Sequence, residues 1–229
     1  VRYRWSGAVE AAKAGAVASL IRSATPFSLR TPHTGMMRYA DGTPRIPHAA
    51  LAPEDADRLA RWQARGVTPQ LRLKLSGRMG DTVTDHNVVA ELRGRELPDE
   101  IVVVGGHLDS WDVGQGALDD AGGCLAAWEA VRLMKTLGLR PRRTVRVVLW
   151  TNEEAGLGGA KAYRDAHRDE LARHVAALES DNGTFAPAGF GFTGSERGGE
   201  GIRGVLAVLG AALDAGRFAL GGGDAALTP

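Results

Sequence analysis

The chain has 229 residues, 44% of them hydrophobic and 24% charged, which suits one sizeable globular domain plus part of another and excludes disordered and collagen-like classes. Its 28 basic and 27 acidic residues give a net charge of +1, with no basic stripe interleaved with aromatics, so nucleic acid is a poor candidate partner. No apolar stretch approaches the roughly 20 residues needed to span a bilayer, and no short apolar core with a small-residue cleavage site opens the chain.

Residues 1–77 differ in texture from residues 78–229. Gly7 to Gly15 reads as a short helix and Ala16 to Ile21 as a strand, while Thr25 to Pro53 is rich in Pro, Thr and Gly and shows no periodicity. Glu54 to Gly66 reads as a helix, with Glu54, Asp55 and Asp57 in its first turn directly after Pro53. Leu71, Leu73 and Leu75 alternate with Arg72 and Lys74, the mark of a half-buried strand. A polar linker, Ser76 to His86, leads into Asn87-Val88-Val89-Ala90-Glu91-Leu92, and the domain boundary is expected near residue 77.

The second region alternates short apolar runs with helical patterns. Ile101 to Val104, Val145 to Trp150 and Val175 to Leu178 read as buried parallel strands. Gly122 to Gly138 reads as a crossover helix with Cys124, Trp128, Val131 and Met134 on one stripe; Gly159 to His174 reads as a second, with Ala160, Tyr163, His167 and Leu171. A last stripe, Ile202, Val205, Leu206, Leu209 and Leu213, is expected to face the core. The fold class is therefore α/β, a mainly parallel twisted sheet with helices on both faces. Cys124, the single cysteine, excludes an internal disulfide and reads as packing.

His107, Asp119, Glu154 and Asp181 follow strand ends or open helices, where open α/β sheets place their active sites. Zinc takes imidazole nitrogen and carboxylate oxygen, and a carboxylate can bridge two zincs about 3.5–4 Å apart. One glutamate of Glu153-Glu154 can bind metal while the other acts as a base, and Asp109 stands two residues from His107, close enough to orient its ring.

His107-Leu108-Asp109, Gly116-Ala117-Leu118-Asp119-Asp120, Glu153-Glu154 and Glu179-Ser180-Asp181, in this order and spacing, resemble the di-zinc exopeptidases of the aminopeptidase and glutamate carboxypeptidase type. The string from Gly106 to Gly116 is most similar to the carboxypeptidase Q branch of that family. Gly7 to Lys13 and Pro32-His33-Thr34-Gly35 are similar to its protease-associated insert, implying a partial insert domain over 1–77 and a zinc-peptidase domain over 78–229. The resemblance implies two Zn2+ ions per complete site. His107 and Asp181 would hold the first and Glu154 the second, Asp119 would bridge, Glu153 would be the general base, and Asp109 would orient His107. It also implies dipeptides or short peptides with free termini as substrates, a secreted or periplasmic location, and a homodimer.

One departure stands out. The family pattern needs a further histidine on the second zinc, and none follows His174. Both chain ends read as cut, so a truncated and largely inactive fragment is expected. Asp120 is assigned a supporting hydrogen-bond role, and Trp111 and Asp112 either border a substrate entrance or pack. His33, His48 and His86 read as surface or loop residues, and Phe192 to Arg197 as a turn-rich loop with no assigned role. Two other readings are a single-zinc glutaminyl cyclase-like enzyme and a non-catalytic receptor-like relative.

Overall fold

The computed structural model describes residues 2–25, 29–33, 35–78, 80–111, 114–184, 189–212 and 219–222. Asp112, Leu213 and the tail beyond residue 222 lie outside the described residues. The chain divides between Thr84 and Asp85, with Trp111 joined to the first unit.

In the first unit, helix α1 (Arg2–Lys13) starts earlier than expected and is followed by a turn at Gly15, whose φ of 82° suits a residue without a Cβ. Strand β1 (Ser19–Arg22) pairs in parallel with β2 (His48–Leu51), and helix α2 (Pro53–Ala64) comes next. Strand β2 falls inside the stretch read as irregular, because His48-Ala49-Ala50-Leu51 has no alternation to announce it. His48 is therefore a strand residue, and both of its ring nitrogens are buried without a hydrogen-bond partner. The alternating leucines Leu71, Leu73 and Leu75 form no strand and are all exposed. Alternation selects a face, but a strand also needs a ladder partner.

The second unit is built on a four-stranded sheet in the order β3 (Val88–Leu92), β5 (Arg143–Trp150), β4 (Leu97–His107), β6 (His174–Glu179). β4, β5 and β6 are parallel and β3 is an antiparallel edge, so the mainly parallel α/β expectation holds. Alternate residues of the central strands supply two cores. On one face Cys124, Ala127 and Val131 of helix α3 (Ala121–Thr136) pack on Val104, Val147 and Leu149. On the other, Ala160 and Tyr163 of α4 (Gly158–Ala166) pack on Ile101, Val103, Val148 and Trp150. Helices thus cover both faces. The expected α3 stripe needs one correction: Trp128 lies at the rim of the packed arc and is 56% exposed. The helix expected to run to His174 ends at Ala166 and continues as a 3-10 helix, Arg168–Arg173, with His174 opening β6.

Strands β7 (Gly189–Phe192) and β8 (Ala219–Gly222) pair in parallel, with α5 (Glu196–Ala212) between them in sequence. Of the stripe read as core-facing, Leu206 is buried and Ile202 partly buried, but Val205 and Leu209 are exposed, so only half of its described residues are withdrawn from solvent. A helical stripe is buried only where another element packs against it.

A polar network crosses the α4 face. Arg146, buried within β5, donates to Glu91 (2.5 Å), Glu170 (2.6 Å) and the Tyr163 hydroxyl (2.5 Å), and that hydroxyl meets His174 Nε2 at 2.8 Å. Glu170 also meets His167 Nδ1 at 2.6 Å and Arg173 at 3.4 Å. The hydrogen bond from Arg146 holds the Glu170 carboxyl below its ordinary value of 4.5, with burial opposing. A depressed folded-state value contributes stability above the unfolded value, and that stability is lost as pH falls through the folded one. Glu170→Gln should therefore cost about 2 kcal/mol at neutral pH, the scale of a charged hydrogen bond. The gap to wild type should narrow below pH 4.5 in urea unfolding at stepped pH; an unchanging gap would deny Glu170 this role.

Candidate metal centre

His107 is the last residue of β4 and pairs with Trp150, the last of β5; on the other side Gly105 pairs with Glu179, the last of β6. Three parallel strands thus end on one sheet edge. Asp119 lies on the turn before α3, Glu153 and Glu154 on the loop after β5, and Asp181 two residues past β6. The four expected ligands come together from segments far apart in sequence.

His107 is 1% exposed. Its Nδ1 meets the Asp109 main-chain carbonyl at 2.9 Å; a carbonyl only accepts, so Nδ1 carries a proton. Nε2 then points at Asp119 Oδ1, 2.9 Å away, and Asp181 Oδ1, 3.3 Å away. Burial by itself lowers the imidazole's affinity for a second proton. The Asp181 carboxylate, the Asp109 carbonyl and the charge of Glu153 outweigh it and push the ring up to about 10. The neighbouring acids move upward as well. Burial, then the charges of Asp119 and Glu153, raise Glu154 to about 7; burial, then Asp181, raises Asp119; burial raises Glu153 against the pull of His107. Glu179, at the end of β6, is raised to about 7 by burial and then by Asp181 and Asp120.

Such a cluster has the donor set to hold a cation. The ligating atoms of His107, Asp119 and Glu154 lie within 4.8 Å of one another, as do those of His107, Asp120 and Asp181. Tetrahedral ligands at 2.0–2.1 Å from zinc stand about 3.3 Å apart, close to the separations from His107 to Asp119 and Asp181. Glu154 Oε1 is buried with no hydrogen-bond partner, an acceptor without a donor. Glu153 belongs to neither grouping.

Asp120 is better explained as support. It is 1% exposed and caps α3: Oδ1 accepts from Gly123 N at 3.0 Å, and Oδ2 accepts from His107 N at 2.9 Å. With both oxygens engaged by main-chain donors, it fixes the backbone of His107. The orienting role expected of Asp109 needs correction. Its carboxylate lies 3.8 Å from Nδ1, and its main-chain carbonyl holds the ring instead. The carboxylate accepts from Glu153 N at 2.8 Å and Glu154 N at 3.2 Å, so it organises the acidic loop. Cys124 reaches the His107 carbonyl at 3.1 Å, and burial pushes its thiol up to about 11, in keeping with packing. In the first unit, the Arg4 guanidinium sits 5.7 Å from the centre of the Trp111 ring. Sequence reading missed Asp85, Asn87 and Thr151, which contact the acidic loop or flank it; none carries a motif.

Residues 87–218 match the model of peptidase family M28. The chain belongs to peptidase family M28. It is 49% identical over 209 residues to carboxypeptidase Q of Pongo abelii, covering 91% of this chain and 44% of that protein. It is 50% identical over 197 residues to carboxypeptidase Q of Homo sapiens (86% and 42% covered) and 52% identical over 194 residues to that of Xenopus laevis (85% and 41%). The crystal structure of a peptidase M28 precursor from Shewanella amazonensis SB2B superposes with a TM-score of 0.84 at 38% identity, over 100% of this chain and 51% of that one. The chain thus spans under half the length of these curated relatives. Among the described residues, no helix of this M28 chain is long and apolar enough to cross a membrane.

Asp120→Ala leaves the His107 and Gly123 N–H groups buried without acceptors and should cost about 2–4 kcal/mol of stability. Asp120→Asn keeps one acceptor oxygen but presents an NH2 to the other donor, and should fall between the two. Urea unfolding of the three proteins checks the order, and an Asn variant as stable as wild type would show that one oxygen suffices.

Proposed function

We propose that this chain carries most of the metal centre of a di-zinc exopeptidase that hydrolyses dipeptides or short peptides with free termini. The observation that carries the reading is the His107 ring. Its Nδ1–H donates to the Asp109 carbonyl, while Nε2 faces two carboxylates, a donor set suited to a divalent cation. Asp181 would share a first ion with His107, Asp119 would join the two sites, and the partnerless Glu154 oxygen would serve a second. The M28 relatives support a metal-dependent peptidase, and the resemblance of the motifs supports zinc, two ions and unblocked peptides.

Zinc supplies Lewis acidity, lowering the pKa of water it holds to about 7 and polarising a scissile carbonyl. Glu153 takes the proton of the attacking water and returns it to the leaving amine, a role suited to a carboxylate whose proton affinity burial has raised. Asp109 keeps Glu153 and Glu154 on station through their main-chain N–H groups, and its carbonyl fixes the tautomer that turns the His107 lone pair toward the ion. Residues 1–77 are read as part of a protease-associated insert, and the exported location and homodimer rest on the same resemblance.

None of the six histidines follows His174, so these 229 residues lack the second-ion histidine of the family pattern. They should bind one zinc firmly and a second weakly, with little turnover. Zinc titration beside hydrolysis of an unblocked dipeptide tests this. Glu153→Gln should keep zinc affinity within about twofold and abolish what turnover there is, as expected of a base that is not a ligand. Loss of zinc in that variant would reverse the roles of Glu153 and Glu154. A wild-type chain that takes up no zinc would end the metal reading.

A further inference from the structure

The loop from Thr151 to Gly159 joins β5 to α4 and carries Glu153 and Glu154. Two of its non-glycine residues, Asn152 (φ 53°) and Leu157 (φ 62°), sit in the left-handed region. Such conformations persist only where the surroundings over-determine them. Part of that constraint is internal: Gly158 N donates to Asn152 O at 2.7 Å, Leu157 N to Glu153 O at 2.8 Å, and Gly159 N to Thr151 O at 2.8 Å. The last bond closes the neck of the loop.

Asn87 lies across that neck. Its Oδ1 accepts from Thr151 N at 3.0 Å and its Nδ2 donates to Gly159 O at 2.8 Å. The two partners fix which end of the amide is oxygen, since a main-chain N–H can only donate and a carbonyl only accept. The side chain therefore acts as an extra peptide group laid against both ends of the loop. A Cβ at Gly159 would collide with Asn87 Oδ1 and with the Thr151 main chain, so the close approach requires a glycine there. Asp109 holds the same loop at the main-chain N–H groups of Glu153 and Glu154.

We propose that Asn87 is a positioning residue: its amide ties Thr151 to Gly159 and thereby holds Glu154 in reach of His107 and Asp119 for metal binding. The inference rests on the assignment of Glu154 as a ligand. Only an amide supplies one acceptor and one donor side by side at this reach; Asp keeps the bond to Thr151 and loses the one to Gly159, and Ala loses both.

Thr144 provides a matched control near the opposite end of β5. It is 2% exposed, and its hydroxyl likewise makes two main-chain hydrogen bonds, accepting from Gly94 N at 3.1 Å and donating to Pro98 O at 2.7 Å. Zinc affinity by chelator competition, the visible spectrum of the cobalt-substituted protein and the Tm would be measured for wild type, Asn87→Ala, Asn87→Asp and Thr144→Ala. Both alanine variants should lower the Tm. Asn87→Ala should also weaken zinc about tenfold, at the lower end of the effect of losing an outer-shell support, and alter the cobalt spectrum; Asn87→Asp should weaken zinc less, and Thr144→Ala not at all. Zinc binding by Asn87→Ala equal to that of Thr144→Ala would overturn the proposal. Should Asn87→Ala fail to fold, Asn87→Asp decides, with wild-type affinity and spectrum counting against it. A wild-type chain that binds no zinc would sink the metal assignment itself, a result distinct from failure of the clamp.

Discussion

The register of β4 against its two neighbours governs the position of every group at the metal centre. Pairing His107 with Trp150 and Gly105 with Glu179 ends three parallel strands on one edge, and the loops leaving that edge carry the acids. The pairing leaves little space around it. A Cβ at Gly105 would strike the Val148 carbonyl, one at Gly106 the Asp120 carboxylate, and one at Gly123 the Ser180 carbonyl. Gly106, where a Cβ would also meet Cys124 N, lets α3 approach β4 closely enough for Asp120 to cap the helix and grip the His107 main chain with one carboxylate. Helix start, strand end and ligand position are thus set by a single buried side chain.

The chain handles two clusters of charge in different ways. Arg146 on the α4 face is buried, but Glu91 and Glu170 neutralise it and the Tyr163 hydroxyl takes a further donor, so that network is complete in itself. At the sheet edge Asp119, Asp181, Glu153 and Glu154 gather around one imidazole, and Asp119, Glu153 and Glu154 rise in pKa because burial and then neighbouring negative charge disfavour their ionised forms. Protons relieve that repulsion by charging the His107 ring, pushed up to about 10, or by neutralising the carboxylates. A divalent cation would relieve it while keeping them ionised, and it would also accept the lone pairs of His107 Nε2 and Glu154 Oε1. The same low-dielectric setting that makes the acids uncomfortable alone strengthens their attraction to such an ion.

Much of this was legible in the sequence because parallel strands buried on both faces leave continuous apolar runs, and the acids come directly after those runs. The alternating helices were legible for the same reason, through their spacing. The features that escaped are those that depend on partners. Leu71, Leu73 and Leu75 alternate without a ladder to join, His48-Ala49-Ala50-Leu51 joins one without alternating, and the apolar stripe of α5 leaves Val205 and Leu209 exposed. At the centre itself, residue type and spacing brought Asp109 beside His107 but could not decide between its carbonyl and its carboxylate. That choice is made by the turn after β4, which directs the carboxylate to the main chain of Glu153 and Glu154.

The antiparallel edge strand explains why Asn87 is at the centre at all. Val88 pairs with Leu149 and Leu92 with Val145, so β3 begins beside the carboxyl end of β5 and runs away from it. A parallel edge strand would bring its own carboxyl end to this place and its amino end to the far side of the sheet. Reversing its direction delivers the residues just before the strand to the acidic loop: Asn87 reaches the loop neck, and Asp85 accepts a hydrogen bond from the Thr151 hydroxyl. The edge strand therefore extends the sheet and also supplies side-chain partners to a loop whose own backbone leaves them unmet. Strand direction, a property usually assigned to topology, here selects which residues can stand behind the ligands.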